Sequence, residues 1–420
     1  MERLLQYIWK YRLYPAGDLQ TTDGRPLTVL DPGISNTDAG PDFFNAKIKI
    51  GDAVWAGNVE IHRKATDWLS HHHYRDPAYD SVILHVVADD DAVIFRPNGE
   101  QIPQVVIEIP AKIKQNMDWL LLRDTSLPCA ERIHEIDPVQ ISAWISALLT
   151  ERLERKVEAI FALLDQNHQD WNEIFYITLT RNFGFGSNGD AFECLAKSLP
   201  FKYILKQRDR REQVEALLFG QAGLLNEQLD DPYYQLLQQE YRFLQQKYSL
   251  VKPDYVIIKR LRMRPSGFPS IRIAQLAAIW THYGTLFSHV LEDCRPETLK
   301  TYFNAPLSKY WDTHYNFYYL ARNKRKRIGQ SIFHIIMINT IAPILFAYGR
   351  ERNNPDYCAK AIQMLENIPP EQNSLISDFT GAGISVRNAY DTQALIQLRR
   401  EYCEKKKCLN CRIGFSLIKK

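Results

Sequence analysis

The chain has 420 residues, of which 45% are apolar and 24% charged, with a formal net charge of +3. This composition excludes a disordered or fibrous chain and predicts a globular protein of two or three domains, at about 100–200 residues each. So small a net charge provides no global field for nucleic acid, and any such contact must come from a local basic patch.

Glu2 to Tyr14 places Leu4, Leu5, Ile8, Trp9 and Leu13 on one stripe and predicts a helix. The opening Met1-Glu2-Arg3-Leu4-Leu5 is charged and amphipathic and lacks the apolar run of a signal peptide, so the expected compartment is the cytoplasm. Thr22-Asp23-Gly24 reads as a turn, and Leu27 to Leu30 as a short strand closed by Asp31-Pro32-Gly33. Phe43 to Ile50 alternates apolar and polar residues, Gly51-Asp52 turns the chain, and Val54 to His62 returns as a second strand. Ala65 to His73 predicts a helix, and Ser81 to Ala88 a continuously apolar, central strand. Val93 to Ile109 adds two strands around Pro97-Asn98-Gly99.

After Pro110 the pattern is helical. Pro138 to Leu164 carries Ile141, Trp144, Ile145, Leu148, Leu149, Leu153, Val157 and Ile160 at helical spacing, and further helices are expected over 169–181, 189–207, 211–223, 232–247, 270–292, 331–348, 355–367 and 390–404. The expectation is an α+β protein: an α/β domain over 1–125 and a large helical domain over 126–420 that carries a C-terminal cysteine cluster. Ile332 to Tyr348 is uncharged and follows Lys324-Arg325-Lys326-Arg327, as a membrane span with a positive flank does. It is short, however, and contains His334, Asn339, Thr340 and Pro343, so a buried core helix kinked at Pro343 is expected and no membrane partner.

The chemistry concentrates between Asp38 and Lys64. Pro41-Asp42 opens one strand, and Glu60, His62 and Lys64 alternate onto one face of the next. Two carboxylates beside a basic group suit Mg²⁺ or Mn²⁺ and a phosphodiester. The layout of Pro41-Asp42 and Glu60-Ile61-His62 resembles the PD-(D/E)-x-K nuclease superfamily, whose core order of helix, three strands, helix and strand matches the elements read above. The resemblance implies a metal-dependent nuclease with Asp42 and Glu60 as metal ligands. His62 departs from it by standing where Lys is expected. His62 can then serve as the base, with Lys64 restoring the missing positive charge, and a His62→Lys change is expected to retain or raise activity. Glu2 is a possible extra carboxylate. The rival expectation is the same fold without catalysis, recruiting nucleic acid or a protein partner.

Nearly the whole chain also resembles a bacterial family catalogued only as a domain of unknown function, through Gly40-Pro41-Asp42-Phe43, Gly57-Asn58-Val59-Glu60-Ile61-His62, Asp76-Pro77-Ala78-Tyr79, Val82-Ile83-Leu84-His85-Val86-Val87, Met263-Arg264-Pro265 and Cys408-Leu409-Asn410-Cys411. This second resemblance implies no activity.

Three further groups stand out. His71-His72-His73 and Asp76, with His62 and His85, form an alternative set suited to a transition metal such as Zn, Fe or Ni. Cys403-x4-Cys408-x2-Cys411, with Cys129 in Leu127-Pro128-Cys129-Ala130 as fourth ligand, suits zinc or an iron–sulfur cluster. A lone cysteine plus a C-terminal trio resembles the iron–sulfur staple of some helicase-associated and CRISPR-adaptation nucleases, although there the lone cysteine precedes the motif. Seven cysteines, odd in number and mostly isolated, do not form a secreted disulfide framework. The nucleic-acid contacts are expected from Arg262, Arg264 and Arg272 and from Lys324, Arg325 and Arg327, the latter following the aromatic run Tyr310-Trp311, Tyr315, Phe317, Tyr318 and Tyr319. Gly184 to Gly189 matches G-x-G-x-x-G but follows a helix where a strand is required, and reads as a loop between helices.

Overall fold

A computed structural model describes residues 2–15, 19–36, 38–253, 258–259 and 265–420. The chain is α+β, with a mixed sheet in its first quarter and helices thereafter. Helix α1, Glu2–Lys10, buries Leu4, Leu5, Tyr7, Ile8 and Trp9. It stops short of Tyr14 because Arg12 turns left-handed at φ 51° and the Leu13 amide donates back to the Ile8 carbonyl at 2.9 Å.

Among the described residues seven strands follow: β1 Leu19–Gln20, β2 Pro26–Asp31, β3 Ile34–Ser35, β4 Phe43–Ile50, β5 Ala53–Lys64, β6 Val82–Asp89 and β7 Gln104–Val106. They form one sheet in the order β1-β2-β4-β5-β6-β7, with β3 on the start of β4. The meander through β2, β4 and β5 is antiparallel, whereas β6 joins β5, and β7 joins β6, in parallel. Strand β6 is buried on both faces, as its unbroken apolar run requires. The strand expected before Pro97 is reduced to a bridge between Phe95 and Gln101.

The helix expected over 65–73 is shorter. It runs Asp67–Ser70 as α2, after which His72 adopts left-handed φ 59° and ψ 27° and a 3₁₀ turn covers His73–Arg75. On a continuous helix, residues 71 and 73 would point away from each other. The left-handed step brings both imidazoles to the same place.

The chain forms two compact units, and they do not divide near residue 125 as expected. The first comprises Met1–Trp144, Ser377–Ile384 and Leu398–Lys420, and the second Ile145–Ile376 and Ser385–Gln397. The C-terminal residues belong to the first because helix Arg412–Lys419 packs on helix Ala111–Leu121 and sets Phe415 against Tyr7 and Tyr11 of α1, with ring centroids 6.1 and 4.7 Å apart.

The second unit is helical. The single helix expected over 189–207 is two, Gly189–Ser198 and Phe201–Gln207, since Pro200 cannot donate within a helix. Helix Pro269–His282 is buried almost all round. Gln330–Glu351 is, among the described residues, the one helix long and apolar enough to cross a membrane, and most of it is buried inside the protein, as a core helix is. Its residues Met337–Ile341 form a π-helical turn just ahead of Pro343, which absorbs the missing amide and the ring's clash with the preceding turn.

Candidate metal centre

The site is aimed by a short stretch of β5. A Cβ on Gly57 would lie 2.4 Å from Ile83 Cγ2 and 2.7 Å from the Ser81 carbonyl, so only glycine lets β5 approach β6 this closely. Next to it, Asn58 donates to Ser81 Oγ at 2.8 Å and accepts from the Asn45 amide at 3.2 Å, where Asn45 bulges out of β4 with φ 56°. These contacts set the register that sends Glu60 and His62 to the same buried face; they are 5% and 1% exposed.

Asp42 and Glu60 interlock. The Asp42 amide donates to Glu60 Oε2 at 3.0 Å, the Ile61 amide donates to Asp42 Oδ2 at 3.1 Å, and Gln6 of α1 donates to Asp42 Oδ1 at 2.8 Å. Burial, followed by the neighbouring Asp42 charge, pushes the Glu60 carboxyl up to about 9. Burial likewise raises Asp42, to about 6, against the hydrogen bonds from Gln6 and Ile61. The Glu2 carboxylate adds to both shifts, so the first helix contributes a third acid to this surface. Two carboxyls that resist ionisation, Glu60 buried and Asp42 half-buried, form a pair that a cation stabilises.

The histidines complete the picture. His62 Nε2 lies 3.2 Å from His71 Nδ1, 3.3 Å from His73 Nε2 and 3.5 Å from Glu60 Oε1. His73 Nε2 is 3.4 Å from the same Glu60 oxygen. One imidazole nitrogen carries either one hydrogen or one lone pair, so His62 Nε2 cannot hydrogen bond to all three neighbours. Donors about 2.0–2.1 Å from a tetrahedral cation stand about 3.3–3.4 Å apart. The distances from His62 Nε2 to His71, His73 and Glu60, and from His73 to Glu60, are close to that spacing, and the three histidines can hold one metal ion together.

Supporting contacts fix the donor atoms. His62 Nδ1 meets His85 Nε2 at 2.9 Å in the fully buried interior. A proton on Nδ1 shared with His85 leaves Nε2 with its lone pair facing the other donors, which is how metal-binding imidazoles are oriented. Burial, followed by the neighbouring His85, His73 and His71, holds His62 neutral, its pKa lowered to about 2; burial and His71 lower His73 to about 4. His73 stacks on Tyr79 with centroids 3.8 Å apart. His71 is exposed, so the centre opens to solvent on that side.

The other expected residues scatter. Lys64 does not join the site; it is exposed, with Nζ 3.9 Å from Asp91. Arg262 and Arg264 lie outside the described residues. Arg272 is buried in Pro269–His282, bonded to Gln275 at 2.9 Å and set over the Phe185 ring, and so does not face a nucleic-acid backbone. Of the aromatic run, Trp311 and Phe317 are core residues, and only Tyr318 and Tyr319 are well exposed. Lys324 is exposed. Arg325 and Arg327, with Arg211, Lys309 and Lys326, line a cavity of about 550 Å³ in which Asp312 is the one acidic lining residue among the described residues. Cys129, Cys403, Cys408 and Cys411 are brought into one neighbourhood of the first unit.

Sequence reasoning treated the carboxylate pair and the histidine run as competing sites. It missed that Glu60 belongs to both, and that Gln6 anchors Asp42. The available signal was the second of three consecutive histidines, a residue type that tolerates a left-handed turn.

The chain belongs to the family described as protein of unknown function (DUF2851), whose profile matches residues 2–374. No curated protein and no solved structure matches it.

Proposed function

We propose that this DUF2851 chain is a metal-dependent hydrolase of phosphodiesters, a nuclease, centred on Glu60, His62, His71 and His73 with Asp42 alongside. The observation that carries the reading is the set of three donor atoms 3.2–3.5 Å around His62 Nε2, joined to a second, half-buried carboxylate at the strand positions that resemble the PD-(D/E)-x-K pattern. Three imidazoles and a carboxylate suit Zn²⁺, Mn²⁺ or Fe²⁺ better than Mg²⁺. When bound, such an ion supplies Lewis acidity toward a phosphoryl oxygen and toward water.

The chain's own groups divide the remaining work. His85 orients His62, and Gln6 and the Ile61 amide hold Asp42 toward Glu60. Asp42, held beside Glu60 by Gln6 and the Ile61 amide, is placed to accept a proton. Within the second unit, the cavity lined by Arg211, Lys309, Arg325 and Arg327 offers cations to phosphates. The seven cysteines form no disulfides among the described residues, which suits the cytoplasm as the compartment of action.

The test is cleavage of single-stranded DNA, duplex DNA and RNA by metal-stripped protein resupplied with Mn²⁺, Zn²⁺, Fe²⁺ or Mg²⁺. Cleavage is expected with at least one of the first three, lost in Glu60→Gln and His73→Ala. The Arg325→Ala/Arg327→Ala double variant is expected to raise KM and to weaken the salt dependence of binding. The rival reading, a non-catalytic scaffold, draws on the turning of Lys64 away from the centre toward Asp91. Stoichiometric metal binding without cleavage of any substrate decides for the scaffold.

A further inference from the structure

A second group of soft ligands lies in the first unit, apart from the histidines. Cys403 ends the π-helical segment Leu398–Cys403, Cys408 opens the 3₁₀ turn Cys408–Asn410, and Cys411 caps helix Arg412–Lys419. Two close contacts fold this segment on itself. The Cys411 amide donates to the Cys408 carbonyl at 3.2 Å, and a Cβ on Gly414 would sit 2.1 Å from that carbonyl, so the loop between the two cysteines rests directly on the following helix. A two-residue loop of this kind is a usual way of presenting two thiols to one metal.

The fourth cysteine arrives from far away in sequence. Cys129 precedes the 3₁₀ turn Ala130–Glu135, against which helix Arg412–Lys419 packs. Arg399, one helical turn before Cys403, donates to the Ser126 carbonyl and, at 2.7 Å, to Asp378. The segment before Cys129 and the segment before Cys403 are thus clamped by one buried guanidinium. Cys129 and Cys411 are themselves buried.

We infer that Cys129, Cys403, Cys408 and Cys411 form a four-thiolate site for a structural metal centre, zinc or an iron–sulfur cluster, which fastens the C-terminal segment to the loop after helix Ala111–Leu121. Four thiolates are soft ligands that suit zinc or iron. The Arg399 charge offsets part of the negative charge that four thiolates place on such a centre. The site does not depend on the hydrolase reading, because it shares no residue with the histidine centre.

The full-length protein, purified without oxygen from cells supplied with iron and zinc, provides the test. One zinc per chain beyond that removed by His62→Ala identifies the zinc form. Iron with acid-labile sulfide and absorbance near 400 nm identifies the cluster. Either result is expected to be lost in Cys129→Ser and in Cys408→Ser and kept in Cys194→Ser. Should the serine variants fail to fold, mercurial titration of the wild-type protein replaces them: metal release is expected to track modification of four thiols. Metal retained in full by Cys129→Ser overturns the four-thiolate site. So does wild-type protein that carries no metal beyond the histidine centre while its thiols react freely.

Discussion

The most informative perturbation is pH acting on metal affinity. In the metal-free protein the Glu60 carboxyl is pushed up to about 9 by burial and by Asp42. A cation must displace that proton, whereas His62 and His73 are already neutral. From about 1% ionised at pH 7 to half ionised at pH 9, Glu60 makes the apparent affinity rise about 50-fold, or roughly 2 kcal/mol. The sign is opposite for the metal-free fold. A carboxyl raised from 4.5 to about 9 stabilises the folded state most at low pH and loses that contribution as pH climbs through this window. The assay is chelator-buffered Zn²⁺ titration at pH 7, 8 and 9, with proton release read by calorimetry in two buffers of different ionisation enthalpy. Glu60→Gln is expected to bind more weakly and with a flat profile. Affinity that is flat in the wild type, or equally steep in Glu60→Gln, refutes Glu60 as a ligand.

Three other outcomes are expected. His62→Lys restores the residue of the superfamily pattern, but it places a cation among buried donors, so metal content should fall at least about 100-fold in affinity and cleavage should vanish rather than rise. Gly57→Ala should destabilise the first unit by about 1–3 kcal/mol, read as a lowered Tm, because its methyl meets Ile83 and the Ser81 carbonyl. Glu215, fully buried and pushed up to about 7 by that burial against hydrogen bonds from Trp311 and Tyr233, confers stability at acid pH that is lost between about 4.5 and 7, on the order of 3 kcal/mol. Glu215→Gln should abolish that slope in denaturant titrations run from pH 5 to 8.

Periodicity alone determined the α+β class, the meander from β2 to β5 and the burial of β6 on both faces, although β6 lies next to the sheet's edge strand rather than at its centre. Each of these follows from where apolar side chains must go, and the alternation of Phe43 to Ile50 and the unbroken run of Val82 to Val87 state it locally. Asp42, Glu60 and His62 were legible as chemistry for the same reason, since one strand's alternation puts Glu60 and His62 on one side. The extent of the site was not. His71 and His73 join it only because His72 adopts a left-handed conformation, and a run of three histidines carries no periodicity that announces such a turn. Lys64 keeps the correct alternation, yet it turns to solvent and Asp91 where the strand leaves the protein interior. Arg272 reads as a surface cation until the burial of its whole helix is known. The compact units, too, were decided by tertiary structure: Tyr7, Tyr11 and helix Ala111–Leu121 are covered by residues about 300–400 positions away, and such long-range closure leaves no trace in a local pattern.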